Sequence, residues 1–178
     1  VWSQRGNFLS VPTDCPQRDE RMGWTGDAQI YVRAATFNAD IASFYTKWLR
    51  DLNDDAWDYG AYPAYAPRPL SRPNEHHAAG WMDAGVICPW TIWQAYGDTR
   101  VISEHWRKMN DFMDWRAIRD PELKGAVDDC GFGDWLSVGK VKTPIPFIDL
   151  AYHAYGARLM AEMATAIGHT EEAKKYET

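Results

Sequence analysis

The sequence is short of most features that announce a function. Cysteine is scarce: Cys15, Cys88 and Cys130 are the three in 178 residues, far apart and odd in number. They form neither a metal-ligand spacing nor a full disulfide framework, so buried thiols are the plainer reading. Positive charge is in deficit. Nineteen Lys and Arg against 25 Asp and Glu leave a net charge of −6 with no basic cluster, which argues against nucleic acid or an anionic membrane surface as partner. No apolar run approaches the ~20 residues of a membrane span. Strand-like alternation is missing over any useful length, and no repeat is visible beyond a "GD" at 26–27, 97–98 and 133–134. No signal peptide is recognisable. The chain opens Val-Trp-Ser and reads as one domain, 1–178, cut from something longer, which leaves its compartment open.

What is present in excess is aromatic surface. There are ten Trp and nine Tyr, and hydrophobic residues make up 46% of the chain, enough for a real core. Large rings fill space between helices; they also offer flat apolar faces to a sugar ring when polar groups stand around them. Both readings stay open at this point.

Helices and loops alternate along the chain. Thr25 is placed to N-cap a helix running to about Asn38, with Asp27 in its first turn, where the macrodipole favours negative charge. Asp40 caps the next, in which Ile41, Phe44, Tyr45, Trp48, Leu49 and Leu52 form a one-sided stripe. The Pro-rich stretch 57–78 keeps no period. "AGWMDAGVICPWTIWQAYG" is apolar nearly all round and suits a helix buried on several faces, kinked or begun at Pro89. Gly97 and Asp98 end it and cap a helix striped by Ile102, Trp106, Met109 and Met113. A long loop, 119–145, follows. Phe147, Leu150, Ala154, Ala157, Ala161 and Ala164 stripe a further helix, Gly168 ends it, and Thr170 starts another. Short links between helices make antiparallel hairpins. The long segments 1–24, 57–78 and 119–145 then emerge at one end, where loops build a site.

One stretch stands out, "TDCPQRDERMGWTGDA", residues 13–28, directly before the first long helix. It holds Asp14, Asp19, Glu20 and Asp27, with Arg18, Arg21 and Trp24 among them. Charges on a loop can simply pair with one another. Carboxylates at a pocket rim can instead divide into an acid and an ionised partner, because like charges push their pKa values apart. Glycoside hydrolysis is the reaction that most characteristically needs such a pair beside aromatic walls. An indole between Gly23 and Thr25 brings no gain to an ordinary solvated loop, which favours the second reading.

"VPTDCPQRDERMGWTGDAQ" resembles the signature of the bacterial α-L-rhamnosidases, glycoside hydrolase family 78, and the resemblance continues through "AGWMDAGV" and "GFGDWL". It implies an all-α (α/α)6 barrel, a toroid of helical hairpins with the pocket in the loops at one end. It implies an inverting hydrolase of terminal α-L-rhamnosides that needs no cofactor and no metal. By the resemblance Glu20 matches the general acid. Asp14, Arg18, Trp24 and Asp27 match residues of the sugar pocket, as do Trp81, Asp83 and Trp135 on a looser alignment. Asp19 is the weaker acid candidate, because adjacent side chains in an irregular loop point apart. Twelve helices need on the order of 300 residues, so the chain matches the N-terminal half of a barrel, truncated at both ends. The base, the second half and further β-rich domains are expected in the full-length parent. Such a half toroid is expected to expose the flanks of inner helices such as 80–96.

Two rivals share the fold: a carbohydrate-binding protein without catalysis, which has no reason to keep Glu20, and an inverting glycosidase for another sugar. Other features carry less. His76 and His77 beside Glu75 are neighbours that rarely face one ion, and Asp54–Asp55 and Asp128–Asp129 lack the alternating spacing of a calcium loop. His105 and His153 sit within helices. Tyr59, Tyr62 and Tyr65 either touch an aglycone or pack the Pro-rich loop down.

Overall fold

The computed structural model describes residues 1–69, 77–119, 131–139 and 143–177. Among these residues the chain is all helical: α1 (Trp2–Asn7), α2 (Thr25–Asn38), α3 (Ala42–Asp54), α4 (Ala84–Tyr96), α5 (Arg100–Arg119), α6 (Ile145–Ala166) and α7 (Thr170–Glu177). Extended backbone is limited to two isolated bridges, Phe8 with Pro12 and Trp24 with Tyr65. No helix among the described residues is long and apolar enough to cross a membrane.

α4 sits at the centre, packed against α2, α3, α5 and α6, while α7 folds back on α6. The α3 stripe goes where its period directs it: Tyr45, Trp48, Leu49 and Leu52 are all fully buried. Phe44 is partly buried and stacks on Phe8, with ring centroids 4.6 Å apart. On α5, Ile102, Trp106, Met109 and Met113 line the core face as their spacing requires. Pro89 lies inside α4, which runs through it. Asp40 Oδ1 accepts the Ala42 N–H at 3.1 Å and Asp98 Oδ1 the Arg100 N–H at 2.9 Å, so both aspartates satisfy first-turn amides that a helix leaves open.

Four local expectations change. Thr25 does not cap α2: Trp24 occupies that position, and the Thr25 hydroxyl donates to the Ala64 carbonyl at 2.8 Å. The first 24 residues contain the one-and-a-half turns of α1. On α6 the N-terminal half of the expected stripe faces outward, with Phe147 and Leu150 exposed, while Asp149, Gly156, Leu159, Met160, Met163 and Ala164 are buried. Gly156 packs against Met113 of α5, whose Sδ stands at ordinary contact distance, 3.4 Å, from where a Cβ would be. The expected exposure of the 80–96 flanks is confined to the last turn of α4, at Gln94, Ala95 and Tyr96, because α2, α3, α5 and α6 pack against the helix. Exposed large apolar groups also stand on α2 (Ile30, Phe37) and α6 (Phe147, Leu150).

Candidate active site

The charged stretch forms a closed loop between α1 and α2. Asn7 pins its start, donating from Nδ2 to the Thr13 carbonyl at 2.8 Å. The Asp14 N–H reaches the Met22 carbonyl at 3.2 Å and closes the base. Its exit is tied to the Pro-rich segment: Thr25 N–H donates to Ala64 O and Ala66 N–H to Gly23 O, a two-bond antiparallel clasp around Trp24 and Tyr65. Trp48, buried on α3, donates from Nε1 to the Ala66 carbonyl at 3.0 Å. The loop is therefore anchored to the core on both sides, the condition for holding side chains in fixed geometry.

Within it, Glu20 turns inward and Asp19 outward. Glu20 Oε1 accepts the Trp24 indole N–H at 2.8 Å and Oε2 accepts Arg18 Nε at 2.8 Å. Asp19 is fully exposed, with Arg21 at 3.5 Å. Asp14, Cys15 and Glu20 bring one ligand atom each within 4.8 Å of one another. That is the one such grouping among the described residues, and both Glu20 oxygens in it already accept N–H donors. The hydrogen bond to Asp14, burial and Asp14's charge raise the Cys15 thiol pKa. Arg18 is held charged by its hydrogen bond to Glu20.

Beside this cluster lies a cavity of ≈ 750 Å³. Asp14, Asp27, Asp134, Trp81, Trp135 and Tyr152 are among its lining residues, an apolar surround with a few polar groups of the kind that binds small molecules. Asp14 Oδ1 is buried and meets no hydrogen-bond donor among the described residues. Asp27 stands at the exposed edge of the first turn of α2, where partial desolvation of its carboxyl first, then the charge of Asp14, raises its pKa. Gly26 explains how the wall is built. A methyl group there would stand 2.7 Å from Trp81 Nε1, so only glycine lets the indole lie across the start of α2. Asp134 takes the Thr143 hydroxyl at 3.2 Å, which ties down the segment carrying Trp135.

The expected site residues thus fall into three groups. Asp14, Asp27, Trp81 and Trp135 line the cavity. Glu20, Arg18 and Trp24 form a hydrogen-bonded set whose Glu20 lies against Asp14. Asp83 is buried and stands behind the wall rather than on it, its carboxylate bound to Arg116 and to the Gly80 N–H. Two residues escaped the sequence reading. Phe132 packs edge-on against Trp24, Trp81 and Trp135 and joins the three indoles; its only signal was a ring between two glycines. Arg116 is fully buried on α5, and its signal was its place seven residues after Met109 on the same stripe.

Of the remaining candidates, Tyr62 and Tyr65 are buried packing residues, while Tyr59 is half-exposed and stacked on Trp57. His77 packs against Trp115 and shares a hydrogen bond with the Tyr59 hydroxyl. Asp55 accepts the Arg68 N–H at 2.6 Å. Glu75, His76, Asp128, Asp129 and Cys130 lie outside the described residues.

Comparison with known proteins adds a consistent picture. The family described as the bacterial alpha-L-rhamnosidase 6 hairpin glycosidase domain matches residues 1–178. An alpha-L-rhamnosidase of Streptomyces avermitilis is 44% identical over 168 residues, 94% of this chain and 16% of that protein. One from Formosa agariphila is 37% identical over 184 residues, 99% of this chain and 19% of that protein. The crystal structure of the Streptomyces avermitilis alpha-L-rhamnosidase complexed with L-rhamnose superposes with a TM-score of 0.89 at 40% identity, over 99% of this chain and 17% of that one. The chain therefore spans less than a fifth of the length of these relatives.

Proposed function

The chain belongs to the bacterial α-L-rhamnosidase six-hairpin glycosidase family, and from that premise we propose that it carries the acid half of an inverting α-L-rhamnoside hydrolase site. The observation that supports this most is the setting of Glu20: a carboxylate oriented by an indole N–H and a guanidinium, within 4.8 Å of Asp14, which lines the Trp-walled cavity. Glu20 protonates the glycosidic oxygen as the bond to the anomeric carbon breaks. Its partner, a carboxylate outside these 178 residues, takes a proton from the water that attacks the opposite ring face, across the ~6.5–9.5 Å gap that inversion requires.

The other residues have roles that follow from their chemistry. Asp14, with an acceptor oxygen open, and Asp27, beside it on the cavity lining, take sugar hydroxyls. Trp81 and Trp135 face the apolar side of a deoxy sugar and its methyl group. Both Glu20 oxygens accept N–H donors, one of them from the exposed Arg18 guanidinium. Proton donation therefore requires Arg18 to turn from Glu20 toward the sugar hydroxyls as substrate enters. The chemistry needs no cofactor. The proposal is tested by proton NMR of the full-length enzyme on an α-L-rhamnoside. β-L-rhamnose is expected as the first product, and α-L-rhamnose first, or no hydrolysis, overturns it.

A further inference from the structure

Arg116 is wholly buried on α5, and its side chain pairs with Asp83, which the family resemblance placed in the sugar pocket. Its guanidinium forks. One nitrogen donates to Asp83 Oδ1 at 2.5 Å, the other to the Asp149 carbonyl of α6 at 2.6 Å. Asp83 Oδ2 in turn accepts the Gly80 N–H at 2.8 Å. The Gly80 carbonyl is held from the opposite side by the Gln29 side-chain amide of α2. Gly80 has φ +79°, a backbone state that an L side chain resists. The turn at Gly80 is therefore fixed by side chains rather than by local preference, and the next residue is Trp81, the indole that lies across Gly26 and walls the cavity.

A buried ion pair is weak evidence for stability, since apolar residues of the same volume often do as well. What this one adds is direction. It joins the entry of α4 to the α6 segment that carries Ile148 and Tyr152, and both segments contribute lining residues to the cavity. We propose that Arg116, acting through Asp83, is a positioning residue for the sugar pocket, setting the Gly80–Trp81 turn and so the placement of the Trp81 indole. The inference rests on the reading of the cavity as the rhamnose site, and it reassigns Asp83 from sugar ligand to support.

A double-mutant cycle in the full-length enzyme tests it, with an aryl α-L-rhamnoside as substrate. Asp83→Asn keeps the volume and one acceptor for Gly80 but turns an amide toward the guanidinium. A wall residue displaced by about 1 Å costs up to ~100-fold, so kcat/KM is expected to fall by about 10–100-fold, mostly through KM. In a Trp81→Ala background the same substitution is expected to change kcat/KM by less than about threefold, since there is no indole left to place. Arg116→Lys keeps the charge and loses the fork. It is expected to give an intermediate loss that also vanishes without Trp81, and it runs the cycle if Asp83→Asn does not fold. Equal losses in both backgrounds overturn the proposal. Wild-type kinetics for Trp81→Ala beside a large loss for Glu20→Gln overturn it while leaving the rhamnosidase reading intact; no loss for either variant overturns both.

Discussion

Gly26→Ala adds one methyl group where the structure has no room for it. The new Cβ would lie 2.7, 2.8 and 2.9 Å from three atoms of the Trp81 indole, where ordinary contact begins at 3.4 Å. The ring has to retreat by about 0.7 Å, the difference between 3.4 and 2.7 Å. Two effects on stability oppose each other. Alanine is better than glycine in a helix by about 1 kcal/mol, and overpacking a filled site costs about 1–3 kcal/mol. The net is a destabilisation of about 0–2 kcal/mol, too small to unfold a domain. Activity is far more sensitive, because a displacement approaching 1 Å in a pocket wall costs up to ~100-fold. Steady-state kinetics of the full-length enzyme on an aryl α-L-rhamnoside should show kcat/KM down by about tenfold or more. Combined with Trp81→Ala, the extra methyl finds space, and Gly26→Ala should then be neutral or stabilising. Wild-type kinetics together with raised stability for Gly26→Ala alone would refute the placement of the indole on α2.

Three further outcomes are expected. Partial desolvation raises the Asp27 pKa, so its charge costs folding free energy, and that cost appears as pH rises through the carboxylate range. Asp27→Asn should therefore leave the urea midpoint at pH 7 unchanged or higher, while kcat/KM falls by about 10–100-fold for a lost charged hydrogen bond of ~1.5–3 kcal/mol; a lower midpoint with normal kinetics would make Asp27 a partner of the helix dipole. Burial lowers the His105 pKa, its ring being packed against Asn53. The unfolded chain then binds the proton more readily, so stability is complete above pH ~6.5 and is lost as pH falls below it; urea titrations from pH 8 to 5 should show that slope, and His105→Gln should flatten it. Arg116→Met leaves Asp83 buried without its cation and should cost about 3–5 kcal/mol, read as a fall in the denaturation midpoint; an unchanged midpoint would show that water reaches the pair.

The periodic parts of the fold were legible in the sequence. The α3 and α5 stripes needed only spacing and burial, and the short links at Asp40 and Asp98 are the first-turn acceptors they resembled. α1 was not legible, because six residues with a glycine among them carry no period. Thr25 has the chemistry of a cap, but a neighbouring loop claims its hydroxyl, a tertiary contact that local sequence does not encode. The alanines of α6 are buried only toward its C-terminal end, at Ala161 and Ala164, and its N-terminal half is held by Arg116 reaching across from α5 to the Asp149 carbonyl. In the site, the charged loop was visible as a motif. Spacing alone gave no way to separate Trp81, on the wall, from Asp83, two residues on and behind it. A buried arginine is invisible to any rule that puts charge outside, and Arg116 is such a case.

The central claim is that Glu20 donates the proton, and the substitution Glu20→Gln in the full-length enzyme tests it most directly. Shape is kept and the donor is removed. General acid catalysis contributes roughly 10²–10⁴ in rate, so rhamnosides with poor leaving groups, such as a second sugar, should lose about that factor. A nitrophenyl rhamnoside departs as a stable phenolate and should lose clearly less. Asp19, exposed and turned away, should show no such dependence when changed to Asn. Equal losses on both substrates for Glu20→Gln, or a leaving-group dependence at Asp19 in its place, would contradict the account.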